Sequence, residues 1–158
     1  MKTNYSLIGL DIEKSKGLVQ DLNQLLANYQ LLYINTRGFH WNIKGEKFFE
    51  LHLKFEELYN NFQLKIDELA ERILTLDGTP LHSYSQYLQL SQIKECVDVT
   101  NGTEAVQFIL NSFQSIILLQ RNILEKSAEA NDEGTNALMS DYIREQEKLV
   151  WMYSSFLK

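Results

Sequence analysis

The sequence contains few of the residues that interrupt regular structure. One proline and seven glycines occur in 158 residues, and this scarcity favours long helices, because these two residues commonly end them. Its single cysteine, Cys96, has no partner for a disulfide within the chain, so we expect a reducing, cytoplasmic location. No apolar run reaches the length of about 18 residues expected of a transmembrane helix. The first residues also lack the apolar core of a signal peptide.

Positive charge is scarce as well. The chain has 15 lysines and arginines against 21 acidic residues, which gives a formal net charge of -6. Near the N-terminus, Lys2, Lys14 and Lys16 are offset by Asp11 and Glu13, so no basic arm is present. Because non-specific binding to DNA depends on clustered cations that displace counterions, we expect DNA binding to be weak or absent.

Apolar residues recur at three- and four-residue spacing in four long segments, which is the pattern of amphipathic helices. The predicted helices cover approximately residues 11–40, 46–76, 103–130 and 135–156. Short links at 42–45 and 131–134 predict antiparallel neighbours, whereas segment 81–101 is long enough to cross the bundle and to hold a short helix within 83–93. The pattern predicts one all-α domain over residues 1–158, a four-helix bundle with one long crossover, as in ferritin-like folds.

The second predicted helix carries four candidate metal ligands: His52, Glu56, Asp67 and Glu71. At about 100° per residue, all four fall within an arc of roughly 100° and share one face of the helix. Glu56 and Asp67 are nevertheless eleven residues apart, which is roughly 16 Å along a helix axis. One metal ion within one chain therefore cannot bind the whole set.

The spacing of these four residues is symmetric. The pair His52 and Glu71 and the pair Glu56 and Asp67 are both centred on position 61.5. If two copies of the helix cross antiparallel at that point, each residue faces the other member of its pair, as the reciprocity of a twofold interface requires. His40, at the end of the first helix, can add a second imidazole. Imidazoles combined with carboxylates suit iron, manganese or zinc better than calcium or magnesium.

A second possible location is the interior of the bundle, where ferritin-like proteins use Glu-x-x-His pairs. This sequence contains no Glu-x-x-His at all. That absence favours the site shared between two chains.

Residues 40–73, HWNIKGEKFFELHLKFEELYNNFQLKIDELAERI, and residues 148–157, KLVWMYSSFL, carry a resemblance to a known family. They resemble the Dps family, the mini-ferritins also called DNA-binding proteins from starved cells, and the resemblance extends over nearly the whole chain. It implies a hollow dodecamer of four-helix subunits with ferroxidase sites at twofold interfaces. Such proteins oxidise ferrous iron, commonly with hydrogen peroxide, and store the ferric product inside the shell.

The resemblance also implies roles for individual residues. His40 and His52 match the two histidines of the family, and Glu56 matches the acidic ligand that follows the second histidine. Asp67 and Glu71 match the acids that the partner chain supplies. These five residues are the predicted catalytic and iron-binding set, with Asp67 either a direct ligand or a residue that holds a ligand through hydrogen bonds.

Other positions have less definite roles. Trp41 matches a tryptophan beside the family's site, where it either packs or traps an oxidising equivalent. Asp132 and Glu133 match acids that line the iron-entry pore, although Ala137 stands where some members have a further acid. His82 follows the only proline and is interpreted as a loop residue.

The predicted function is that of a ferroxidase and iron store, with iron (Fe2+ and Fe3+) as its metal and hydrogen peroxide as its oxidant, protecting against oxidative stress. The alternative is a non-enzymatic structural or DNA-compacting cage with a vestigial metal site. The lysine-rich tails of DNA-binding family members are absent from this sequence. The expected partners are therefore further copies of the chain, ferrous iron and peroxide, with DNA binding weak or absent and no membrane.

Overall fold

The computed structural model describes residues 4–158, and in this part of the chain five helices form an all-α fold. They are α1 (Ile12–Asn42), α2 (Phe48–Thr75), α3 (Tyr84–Leu90), α4 (Gly102–Glu129) and α5 (Glu133–Phe156). The four long helices and the short helix in the crossover confirm the prediction from hydrophobic spacing.

Side-chain caps define several of the helix ends. Asp11 accepts hydrogen bonds from the backbone N–H groups of Glu13 and Lys14 and so begins α1. Asp132 caps α5 by accepting from the backbone N–H of Thr135 at 2.9 Å. This cap explains why α5 begins at Glu133, two residues before the predicted start, because an N-cap carboxylate satisfies the free N–H groups of the first turn.

The long helices pack around one apolar core. Helix α1 contacts α2 and α4, α4 contacts α5, and the short α3 lies against α1. Phe55 and Phe62 of α2, Ile109 and Phe113 of α4, and Met139 of α5 are fully buried. Since α1 and α2 are joined by a short turn, this packing fixes the C-terminal end of α1, with His40, beside the N-terminal half of α2.

Three buried asparagines of α1 hold the crossover in place. Each asparagine side chain makes hydrogen bonds to backbone groups of the segment between α2 and α4. The bonds join Asn23 to Thr79 and Leu81, Asn28 to Gln92, and Asn35 to Lys94 and Cys96. Because buried backbone groups need partners, these asparagines allow an irregular segment to pack against a helix.

The centre of the bundle holds a polar cluster of one tyrosine and two glutamines. The hydroxyl of Tyr29, a fully buried residue, accepts hydrogen bonds from the side-chain amides of Gln120, at 2.8 Å, and Gln146. Phe62 of α2 completes the group, with its ring centre 5.9 Å from that of Tyr29. Burial raises the pKa of Tyr29 and keeps its hydroxyl protonated.

Within residues 4–158, none of the helices combines the length and the apolar character needed to cross a membrane.

Candidate metal centre

The two histidines of the predicted site lie face to face. The rings of His40, at the end of α1, and His52, in α2, are stacked with their centres 3.8 Å apart and an angle of 16° between their planes. The side chain of Phe48 also stacks on His52, with the ring centres 5.0 Å apart. His40 is buried and His52 is partly buried, so both imidazoles have fixed positions at one edge of the α1–α2 pair.

Each histidine is oriented by the backbone of the other. Nδ1 of His40 lies 2.6 Å from the carbonyl oxygen of His52, and Nδ1 of His52 lies 2.7 Å from the carbonyl oxygen of His40. Because a carbonyl oxygen only accepts, each Nδ1 must carry a proton and donate it. In the neutral rings the lone pair is therefore on Nε2, which is the state in which a histidine binds a metal ion.

Glu56 lies one turn after His52 on the same face of α2, and it is partly buried. Tyr59, three residues further on, places its ring edge-on to His40, with the ring centres 5.3 Å apart. Asp67 and Glu71 lie on the same face towards the C-terminal end of α2 and are exposed. Thus one chain presents two imidazoles and a carboxylate at one end of α2, and two further carboxylates at the other.

The same face of α2 also exposes large apolar side chains. Phe49 and Leu74 are 84% and 57% exposed, and Leu53 and Leu64 are 54% and 66% exposed. Phe49 and Leu74 are also centred on position 61.5, so an antiparallel crossing of two copies would bring these two side chains together. Large apolar side chains exposed along one face of a folded subunit are characteristic of a surface that binds another protein.

A single chain does not assemble the whole site. In the described part of the chain, no group of three or more histidine, cysteine, aspartate or glutamate side chains lies close enough together to hold a metal ion. The structure brings His40 and His52 together and keeps Asp67 and Glu71 at the far end of α2. The meeting of the two halves across a dimer remains a prediction from their spacing.

Two residues assigned to an iron-entry pore differ in their surroundings. Asp132 is buried, pairs with Arg72 at 2.6 Å and accepts from the hydroxyl of Thr135 at 2.5 Å, so its oxygens are committed within the chain. Glu133 is exposed and makes no such pair in the described residues. The exposed carboxylate of Glu133 is therefore the better of the two for binding a passing cation.

The two other residues considered, Trp41 and His82, are both exposed. Trp41 is 58% exposed next to His40, and its ring lies 4.9 Å from the guanidinium carbon of Arg37. His82 is exposed in the crossover, and its Nδ1 donates to the carbonyl oxygen of Pro80 at 3.0 Å.

Sequence patterns did not reveal the exchange of hydrogen bonds between the histidines, or the involvement of Tyr59 and Arg37. A signal for both was present in the spacing, because Tyr59 is seven residues after His52 and Arg37 is three residues before His40. Both separations place two side chains on one helix face. Neither spacing identifies which rings will touch across two helices.

Comparison with known proteins identifies the structural class of the chain. A family model described as "Ferritin-like domain" matches residues 19–158, and the chain is therefore a ferritin-like protein. The structure of a Dps protein from Vibrio cholerae O1, described as a member of a broad superfamily of ferritin-like diiron-carboxylate proteins, superposes with a TM-score of 0.97. That protein is 57% identical, and the match covers 100% of this chain and 99% of the other.

Further relatives narrow the class. Dps from Staphylococcus aureus superposes with a TM-score of 0.88 at 34% identity, over 90% of this chain and 96% of the other. The "DNA protection during starvation protein" of Porphyromonas gingivalis is 40% identical over 156 residues, which are 99% of this chain and 98% of that protein. The chain belongs to the Dps family.

Proposed function

We propose that this protein is a ferroxidase and iron-storage mini-ferritin whose sites are shared between two subunits. The observation that carries the proposal is the histidine pair, whose two Nε2 atoms are left free beside a carboxylate-bearing face of α2. In each site, His40, His52 and Glu56 come from one subunit, and Asp67 and Glu71 from the other. Ferrous iron is the substrate.

The donor set fits both oxidation states of the substrate. Imidazole nitrogens suit ferrous iron, and the three carboxylates compensate the higher charge of the ferric product. Two ferrous ions each give one electron to hydrogen peroxide, its O–O bond breaks, and two protons complete the formation of two water molecules. A two-electron reduction of this kind releases no hydroxyl radical, and this is how the reaction would protect a cytoplasm under oxidative stress.

The proposed assembly is a closed homo-oligomer, a dodecamer as the family resemblance implies. Its first interface is the apolar and acidic face of α2, where Phe49, Leu53, Leu64 and Leu74 are exposed in the single chain. A twofold contact through this face would bury those side chains and complete two equivalent sites at once. A closed shell built from such dimers supplies the space in which the ferric product is stored.

We further propose that the protein acts on iron and peroxide and does not coat DNA. Of the N-terminal lysines, Lys14 donates to the carbonyl oxygen of Glu129 at 2.8 Å and Lys16 pairs with Glu13 at 2.7 Å, while Lys2 lies outside the described residues. Net charge is -6 per subunit, and duplex DNA repels such a surface. A gel-shift titration at physiological salt without iron should show free plasmid at micromolar protein. Retarded plasmid would contradict this part of the proposal.

Two measurements test the metal chemistry. Crystals soaked in ferrous iron should give anomalous scattering at the twofold interface, next to Nε2 of His40 and of His52. Ferrous iron and peroxide added to the protein in solution should give rapid oxidation and a soluble ferric core. Slow oxidation with a precipitate, and no anomalous peak at the interface, would instead support the alternative of a structural cage with a vestigial site.

A further inference from the structure

Arg37 differs from the other arginines of the chain. Arg72, Arg121 and Arg144 each lie within 4 Å of a carboxylate, at 2.6, 3.7 and 2.8 Å. Among the residues that the structure describes, no carboxylate forms such a pair with Arg37, and its Nε is buried without a hydrogen-bond partner. The charge of Arg37 is therefore not neutralised within its own subunit.

Aromatic rings fix the position of this charge. The guanidinium carbon of Arg37 lies 5.6, 4.9 and 5.1 Å from the ring centres of Tyr33, Trp41 and Tyr59. Its NH1 group also donates to the hydroxyl of Tyr33 at 2.8 Å. Cation–π contacts hold a guanidinium in place while they leave its charge intact, so Arg37 is a fixed positive charge.

The charge lies close to the candidate site. The ring of Tyr59 that Arg37 contacts is the same ring that meets His40 edge-on at 5.3 Å. Together with the 5.1 Å separation between the guanidinium carbon and the centre of that ring, this limits the distance from the guanidinium carbon to the centre of the His40 ring to at most about 10 Å. A positive charge so close to a cation-binding site repels the bound ions and does not help to hold them.

We propose that Arg37 determines the cation occupancy of the site by weakening the binding of a second divalent ion. This inference rests on the proposed function. Three carboxylates and two neutral imidazoles compensate one divalent ion fully, but a second ion leaves the site with excess positive charge. At about 10 Å and an effective dielectric constant of about 20, repulsion by one fixed charge is strong enough to lower an affinity roughly tenfold or more. Arg37 thereby sets the ferrous concentration at which two electrons become available to one peroxide.

Zinc provides a redox-inert probe, because it accepts the same nitrogen and oxygen ligands. Anaerobic calorimetric titration of the assembled protein with zinc alone should show a tight and a weak phase for each subunit. In R37Q the weak phase should move to roughly tenfold lower zinc concentration, while R37K, which keeps the charge, should stay within about twofold of the unsubstituted protein. R121Q is the matched control, since it removes one arginine charge per subunit from an exposed pair with Glu147.

The outcomes separate the two proposals. Superimposable titrations of R37Q and the unsubstituted protein would overturn the role of Arg37, and so would an equal shift in R121Q, because the effect would then come from overall charge. If a variant with both H52A and E71A keeps both zinc phases, the zinc is bound elsewhere and the proposed site itself fails.

Discussion

The centre of the bundle and the outward face of α2 both place polar groups among large apolar side chains, yet they differ in how those groups are satisfied. In the centre, the hydroxyl of Tyr29 and the amides of Gln120 and Gln146 bond to one another within one subunit. On the face of α2, Asp67 and Glu71 are exposed beside uncovered Leu64 and Leu74. The first region forms its hydrogen bonds within one subunit, although the side-chain Oε1 atoms of Gln120 and Gln146 are buried without a partner. The second region would be covered only in the dimer proposed above.

This difference shows where metal chemistry is possible in the subunit. A buried tyrosine and two amides offer weak, neutral ligands, and such a cluster stabilises the packing of three helices. The exposed carboxylates and the oriented imidazoles of α1 and α2 offer charged and neutral ligands with free coordination positions, and the proposed dimer would bring them together. Substitutions in the two regions should therefore have opposite consequences, one for stability and the other for activity.

The largest effect is expected from the variant carrying both H52A and E71A. Peroxide-driven oxidation of ferrous iron should fall roughly a hundredfold or more, since loss of outer-shell partners alone costs about 10- to 100-fold in metalloproteins. The shell should still assemble, as judged by light scattering. Stopped-flow absorbance of the ferric product measures the rate.

A variant with H82A and E125A removes one histidine and one glutamate from exposed positions outside the site and serves as the control. Equal rates for this control and the unsubstituted protein are expected. An unchanged rate in the H52A and E71A variant would remove these residues from the mechanism.

A second, somewhat smaller effect is expected from charges placed on the apolar part of the α2 face. The variant with L64D and L74D should fail to form the twofold dimer, because burying unpaired carboxylates costs on the order of several kcal/mol per charge. Sedimentation at micromolar concentration should then show monomers that retain their helical circular dichroism. The variant with L64M and L74M keeps an apolar surface and should assemble. Assembly of the aspartate variant would show that this face is not the interface.

The smallest effect is expected at the centre of the bundle. Y29F leaves the amides of Gln120 and Gln146 without their shared acceptor, which should lower the free energy of unfolding by about 1–3 kcal/mol. Thermal unfolding measures the loss, and the rate of iron oxidation should be the same as in the unsubstituted protein. A large fall in that rate would mean that the bundle centre takes part in the chemistry and that the two regions are not separate.

Hydrophobic spacing predicted the helices because each long helix buries one stripe of apolar side chains, as Phe55 and Phe62 of α2 illustrate. The helical repeat alone also predicted that the candidate ligands of α2 lie on one face of the helix. The start of α5 was misplaced by two residues, because the capping role of Asp132 depends on local geometry. Such patterns could not predict contacts between distant segments, for example the hydrogen bonds from Asn35 to the crossover.

The same limit applies within the site. Spacing can place His40 and His52 near each other, but the mutual donation of Nδ1 protons depends on the exact distance between α1 and α2. The position of Arg37 against Tyr59 depends on the same packing.

Mixing two defective variants tests directly whether each site is built by two subunits. H52A and E71A subunits, dissociated and reassembled together in equal amounts, would form mixed dimers in which one site carries both substitutions and the other carries neither. Random pairing at a reciprocal twofold interface leaves about a quarter of all sites intact. Stopped-flow oxidation of ferrous iron by peroxide should therefore recover to about a quarter of the unsubstituted rate. If each site lay within one chain, every site would keep one substitution, and the rate would be no higher than that of the separate variants.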